Sequence, residues 1–261
     1  MAHTLLSKGF MESAIIWRGT SLLDGVTPIA VVVTGIAHKS GNAKTGAMVQ
    51  TYILVDGVKP KVAIDDGTDA AICGACPHRK QADTGKRSCY VNLATGLNVV
   101  GRQMLAGKYE TRSVDEVAVA CAGLPVRLGT YGDPAAVPVE VWMRLIRHAA
   151  SHTGYTHQWR LDAVDAYRQL LMASCDSEAD RVSAKASGWR TFRVRAVAEA
   201  SAPLMAGEIV CPASFEAGKR TTCERCGLCA GASKGAKVKD IAIINHSTSA
   251  RAALRKLAVI Q

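Results

Sequence analysis

The sequence predicts an α/β protein: a partial or open parallel β/α barrel with a β-rich N-terminal segment and a C-terminal cysteine-cluster extension. Three observations predict it. Short β-branched runs alternate with helical stretches at intervals of about thirty residues, the pattern of parallel βαβ units. Polar or reactive residues follow nearly every such run, as they do where the carboxyl ends of parallel strands share a mouth. Seven of the nine cysteines fall into two short groups, at 73–89 and 211–229.

The elements follow in order. Residues 30–34 and 51–55 are β-branched runs separated by a turn-rich stretch at 38–46. Val62-Ala-Ile64 precedes an Asp65-Asp66-Gly67 turn, closes the entry segment at about residue 70 and leads into the first cysteine group. Residues 126–129 read as a buried strand. A helix over 137–150 follows Pro134, with Val137, Val141, Leu145 and His148 at helical spacing and Pro138 near its start. Next come a strand at 154–157, a short helix over 162–167, a strand at 170–174 and a helix over 178–186 closed by Gly188. Strands at 191–195, 208–211 and 240–245 and a helix over 249–257 complete the pattern. The division is an N-terminal segment (1–70), a β/α core carrying the first cysteine group (71–205), and a second-group region with the last strand and helix (206–261). The strand-end residues are Asp133, His157 with Gln158, Asp176 with Ser177, Arg193 or Arg195, Cys211, and Asn245 with His246.

Composition sets the class. A hydrophobic fraction of 48% over 261 residues is that of a folded chain, not a disordered one. No apolar run approaches the roughly 20 residues that cross a bilayer, so no membrane partner is expected. The first ten residues lack a secretory pattern, and a cytoplasmic location is the expectation. With 32 Lys and Arg against 22 Asp and Glu, the net charge is +10. That balance favours a polyanionic partner such as a nucleic acid or nucleotide, through counterion release. A basic protein without such a partner is the alternative. Oligomeric state is not legible.

Without an export signal, clustered cysteines point to metal rather than disulfides. The first group is Cys73-Gly-Ala-Cys76, followed after twelve residues by Cys89. A two-residue gap lets both thiolates of a tight turn face one ion. Three cysteines with His78 would make a closed zinc site. Three cysteines alone would hold a 4Fe–4S cluster with one iron open, leaving His78 a solvated loop residue. The second group is Cys211, then Cys223-Glu-Arg-Cys226-Gly-Leu-Cys229. Successive two-residue gaps are the spacing of iron–sulfur ligation, and four cysteines also suit zinc. Unligated thiols are the plain alternative for both groups. Cys121 and Cys175 stand apart and read as small buried hydrophobes. No GxSxG, HExxH or GxxxxGK[ST] pattern is present.

A cysteine triad at the start of an α/β barrel, followed after the next strand by Gly129-Thr-Tyr-Gly132-Asp133-Pro134, resembles the radical S-adenosylmethionine superfamily. The second group resembles the auxiliary-cluster extensions of some members. Gly41-Asn-Ala-Lys-Thr-Gly46 and Cys89-Tyr90 also resemble uncharacterised phage-encoded families related to it. The triad departs from the superfamily pattern, with gaps of two and twelve residues where the family has three and two, and Tyr90 follows the last cysteine. The resemblance implies a 4Fe–4S cluster on Cys73, Cys76 and Cys89 and reductive cleavage of S-adenosylmethionine fed by a reductant protein. It implies cofactor contacts from Gly129, Gly132, Asp133, Ser177 and Arg193 or Arg195, with His157 and His246 near substrate. The rival reading is a zinc-stabilised, non-catalytic nucleic-acid-binding protein, with Trp142, Trp159, Trp189 and Tyr155 as stacking surfaces. A third is electron relay alone.

Overall fold

The structure is a computed structural model describing residues 12–38, 41–91, 93–235 and 238–245. It begins with a strand the β-branched runs do not announce, β1 (Ser13–Thr20), antiparallel to β2 (Pro28–Thr34). Their turn is shaped by the Asp24 carboxylate, which accepts from Val26 N, Thr27 N and the Thr27 hydroxyl. Residues 29–33 are wholly buried, so β2 reads as a continuous apolar run rather than an alternation. β3 (Val49–Val55) pairs antiparallel with β2.

The chain then turns helical. Residues 62–64, assigned by sequence to the β-rich segment, lie within α1 (Pro60–Asp66). Pro60 sits in the first turn and Gly67, at φ 85°, caps the end, signals that override three β-branched or small residues. α2 (Ala70–Cys73) delivers the first cysteine. α3 (Asn98–Leu105) and α4 (Val114–Ala120), the latter opened by a Ser113/Glu116 capping box, complete the crossover to β4 (Pro125–Tyr131). β4 lies parallel to β3.

The remaining order is α5 (Val139–Ile146), β5 (Ser151–Thr153), β6 (Tyr155–Thr156), a 3-10 helix (Asp162–Gln169), β7 (Met172–Cys175), α6 (Glu178–Ala186), β8 (Thr191–Arg195), β9 (Glu208–Val210), α7 (Cys223–Cys226) and β10 (Asp240–Ile244). α5 starts later than its apolar periodicity predicts, because Pro138 becomes the residue before the helix, and it also ends earlier. The helix predicted over 249–257 lies outside the described residues, as does His246.

Two five-stranded sheets result, ordered β1-β2-β3-β4-β5 and β6-β7-β8-β10-β9. The second is parallel throughout. The molecule is therefore mixed α/β, and no closed barrel forms among the described residues. Strands from residues 1–70 share the first sheet with β4 and β5. The sheets meet at Gly154, whose amide donates to Cys229 O and whose carbonyl accepts from Met172 N. A Cβ there would lie 2.4 Å from Leu171 Cδ2 and 3.1 Å from Leu128 Cβ, so a side chain at the seam would have to displace the buried Leu171. The main core spans both sheets. A smaller one, with Met172, Ile241 and Ile243, includes Cys211 and Cys229.

Candidate metal centre

Every strand of the second sheet runs in one direction, so its carboxyl ends face one side, and the cysteines gather there with the end of β4. Cys73 closes α2, and its amide donates to Asp69 O at 2.9 Å. The Asp69 carboxylate receives Arg79 Nε at 2.9 Å and Nη2 at 2.6 Å, and Arg79 also reaches Gly67 O. This fastens the start of the long loop. The Cys76 amide bonds Cys73 O, and the Cys89 amide bonds His78 O at 3.0 Å. The twelve-residue excursion thus returns Cys89 beside Cys76. All three thiols line one cavity with residues 129–133.

The Gly129–Asp133 turn needs its glycines. Their φ values are +66° and +81°, and a Cβ on Gly129 would lie 2.7 Å from Gly132 O while one on Gly132 would lie 2.7 Å from Ile53 Cβ. The Asp133 amide donates to Ile72 O at 2.6 Å, holding the turn against α2. Its buried carboxylate accepts from Ala135 N at 3.0 Å, His157 N at 2.8 Å and Gln158 Nε2 at 3.2 Å. Burial nevertheless raises its pKa.

The second set lines an adjoining cavity, which holds Cys211, Cys223, Cys226 and Cys229 together with Lys44, Arg127, Tyr90, Tyr155 and Phe192. Cys211 follows β9, its amide bonded to Ala242 O. α7 is a single turn ended by Gly227 at φ 57°. Cys223 N donates to Lys44 O at 2.9 Å, Glu224 N to Thr45 O at 3.0 Å, and Glu224 Oε2 accepts from Ala47 N at 2.9 Å. The 42–46 loop is therefore the platform for the CxxCxxC run.

Electrostatics bind each set into a unit. Burial pushes the Cys73 thiol well above its ordinary value, and Asp69, Cys76, Cys89 and Asp133 push it further. Burial and neighbouring thiolates raise Cys229 to about 12 against a hydrogen bond from Tyr155. Lys44 is lowered by burial, opposed by the charges of Cys211, Cys223 and Cys229. Grouped thiolates that resist ionisation alone are stabilised by a bound cation, which inverts that balance.

At a Zn–S bond of about 2.3 Å, tetrahedral thiolates stand about 3.8 Å apart. Among the described residues, which include all nine cysteines, His78, His157 and Asp176 alone bring three ligand atoms within 4.8 Å of one another. No three cysteine sulfurs are that close.

His78 and His157 line both cavities. His78 is not a solvated loop residue: its side chain is 19% exposed and bonds Asp176 and Ser88. Burial works against charge on His157, but Asp176 and Cys76 outweigh it and raise its pKa to about 10. Burial works against charge on Asp176 too, yet the two histidines hold its pKa below the ordinary carboxylate range.

Gly129, Gly132 and Asp133 thus meet the first triad, whereas Ser177 and Arg193 do not. Ser177 caps α6, accepting from Asp180 N at 3.0 Å. Arg193 is buried in a two-bond pair with Glu208, and Arg195 bonds the carbonyls of Glu199 and Ala202. Side chains alternate along β8, so Phe192 and Val194 face the cavity and the arginines face away. Cys121 and Cys175 are fully buried, each raised to about 12 by desolvation first. Trp142, Trp159 and Trp189 are core residues and offer no stacking surface, while Tyr155 does line the cavity. Sequence reasoning gave no site role to Lys44 or Arg127. A charged residue inside the apolar β4 run was the available signal for Arg127.

Among the described residues no helix is long and apolar enough to cross a membrane. Comparison of the chain with protein-family models, curated proteins and solved structures found no match.

Proposed function

We propose that the chain is an iron–sulfur protein of the radical S-adenosylmethionine type, acting on a nucleotide-related or nucleic-acid substrate. The observation that carries this reading is that Cys73, Cys76 and Cys89 line one cavity with the Gly129–Asp133 turn. A cubane spaces its thiolates more widely than one zinc ion does, since each binds a different corner iron. In this reading the three-cysteine set holds a cluster with one open iron, and the four-cysteine set holds a closed cluster. On this reading the two sheets, which meet at Gly154, would form the wall of an open β/α barrel.

When bound, the first cluster would supply the electron that cleaves the cofactor sulfonium. The chain's own residues do the rest. Asp133, wired to Ala135 and His157, fixes the turn that would meet the cofactor amino group. Lys44 and Arg127 offer positive charge in the adjoining cavity, and Tyr155 and Phe192 pack at 4.6 Å to form an aromatic wall there. Cations beside aromatic faces suit a flat anionic substrate. Apolar Val194 and Ile241 help exclude water.

The test is anaerobic purification with iron, sulfide and zinc analysis, then reduction in the presence of S-adenosylmethionine. Equimolar iron and sulfide, with release of 5′-deoxyadenosine and methionine, is the expected result. Zinc without sulfide would return the protein to the non-catalytic, zinc-stabilised class. Iron and sulfide without cofactor cleavage would reduce it to electron relay.

A further inference from the structure

Between the two cysteine cavities stands a group of side chains that neither cysteine set accounts for. Asp176 follows β7, His157 follows β6, and His78 sits in the loop between Cys76 and Cys89. Asp176 Oδ1 lies 2.8 Å from His78 Nε2, and Oδ2 lies 3.2 Å from His157 Nε2. At metal–ligand bonds of about 2.1 Å, neighbouring ligand atoms stand roughly 3.0–3.4 Å apart; the 3.2 Å contact falls in that range, the 2.8 Å one just below it, and one ligand atom of each residue lies within 4.8 Å of the other two.

Two further observations point to an ion. The His157 Nε2 atom is fully buried and makes no well-aligned hydrogen bond, although Asp176 Oδ2 lies 3.2 Å away. A ring nitrogen in that position lacks what a metal bond would supply. His78 is already oriented for ligation, because its Nδ1 bonds Ser88 Oγ at 2.8 Å and so presents Nε2 to the carboxylate. That outer bond is the device that sets the tautomer of a metal-binding histidine. The main chain at both histidines is held independently of any ion: His157 N donates to Asp133, and His78 O accepts from Cys89 N.

We infer that His78, His157 and Asp176 form a mononuclear site for a divalent first-row transition ion, distinct from both cysteine sets. Two imidazoles and one carboxylate suit zinc(II) or iron(II) and leave coordination positions open. Both histidines line both cavities, so the open positions face the space where a substrate would lie. The ion would there polarise an oxygen or bind water.

The experiment uses the full chain, purified anaerobically. Iron matched by sulfide counts clusters, and any divalent ion beyond that count is the predicted one, at one per chain. After mild chelation, cobalt(II) added as the probe should give ligand-field bands without sulfur-to-cobalt charge transfer. H78A and D176N should lose the extra ion while retaining sulfide-matched iron. S88A removes one hydroxyl that bonds the His78 ring and should weaken cobalt affinity by about 10–100-fold. Retention of the extra ion in both H78A and D176N overturns the inference, as does a sulfur ligation signature or unchanged affinity in S88A. The site does not depend on the iron–sulfur reading. Cobalt bound in a chain without sulfide sinks that reading alone; clusters with no extra ion sink the site alone.

Discussion

Replacing Arg193 with methionine tests whether this residue is a strut or a cofactor contact. Its side chain is 2% exposed and that of Glu208 is 0%, so solvent does not screen the pair. Arg193 Nε donates to Oε1 at 2.8 Å and Nη2 to Oε2 at 2.7 Å. Breaking a buried pair from one side costs about 3–5 kcal/mol, because the other charge is left uncompensated. Glu208 would keep Arg181, 3.1 Å away, and the Met205 amide at 3.0 Å, which places R193M near the lower bound, about 3 kcal/mol. E208A leaves the Arg193 guanidinium only the longer contacts to Glu178 at 3.8 Å and Glu199 at 4.0 Å, leaves Arg181 with Asp240 at 3.3 Å and Ala206 O at 2.8 Å, and should cost more than R193M, within about 3–5 kcal/mol. The apolar double variant R193M/E208L removes both charges of the pair together and should cost well under the sum of the single changes. With a urea slope of about 3 kcal/mol per molar, R193M lowers the unfolding midpoint by about 1 M. Burial raises the Glu208 carboxyl, but Arg193 and the Met205 amide bring it below its ordinary value. The pair's contribution is therefore full above the ordinary glutamate range and fades as pH falls through the lowered value, so the R193M deficit should shrink in acid. A variant of unchanged midpoint that no longer binds S-adenosylmethionine would refute this reasoning and make Arg193 a cofactor contact.

Other substitutions test the site and the seam. On the proposed iron–sulfur reading, C89S and C226S should each remove iron and sulfide from one cysteine set and spare the other, as metal analysis and electron paramagnetic resonance would register; loss of all iron in either variant contradicts two separate groups. G129A places a Cβ against Gly132 O and Pro134 at a positive φ, and thermal unfolding should record a loss of about 1–3 kcal/mol with disturbed cofactor binding. G154A forces a methyl against buried Leu171 at the junction of the sheets, for a loss of about 1–3 kcal/mol. Burial lowers the pKa of His152, whose Nε2 faces Leu170 O, so below the ordinary histidine value the unfolded chain binds the extra proton. Stability should fall as pH drops from about 7 to 5, and H152Q should flatten that slope in denaturant titrations.

What sequence could reveal depended on how local the cause was. α6 and β8 fall where patterning puts them, since the Ser177 cap, Gly188 and strict alternation act within a few residues. α4 carried a legible Ser113/Glu116 box that a search for strands passes over. The cysteine spacings were readable because a CxxC turn is local; that Cys89 closes the triad depended on one backbone bond to His78. The facing of Arg193 was not legible because buried arginines reverse the usual sense of an alternating strand. The contact of His78 with Asp176 spans 98 positions and leaves no pattern in either neighbourhood.

The bonds from Cys223 and Glu224 to Lys44 and Thr45 bear on the order of events in the cell. A ribosome delivers residue 44 long before residue 223, so the platform waits, unclasped, until almost the whole described chain has emerged. If the four-thiol pocket takes up metal as proposed, its maturation would be a late act, with loading following closure of this long circuit. A lesion near the beginning of the chain should be felt as a loading failure near its far side, with the CxxCxxC run itself untouched.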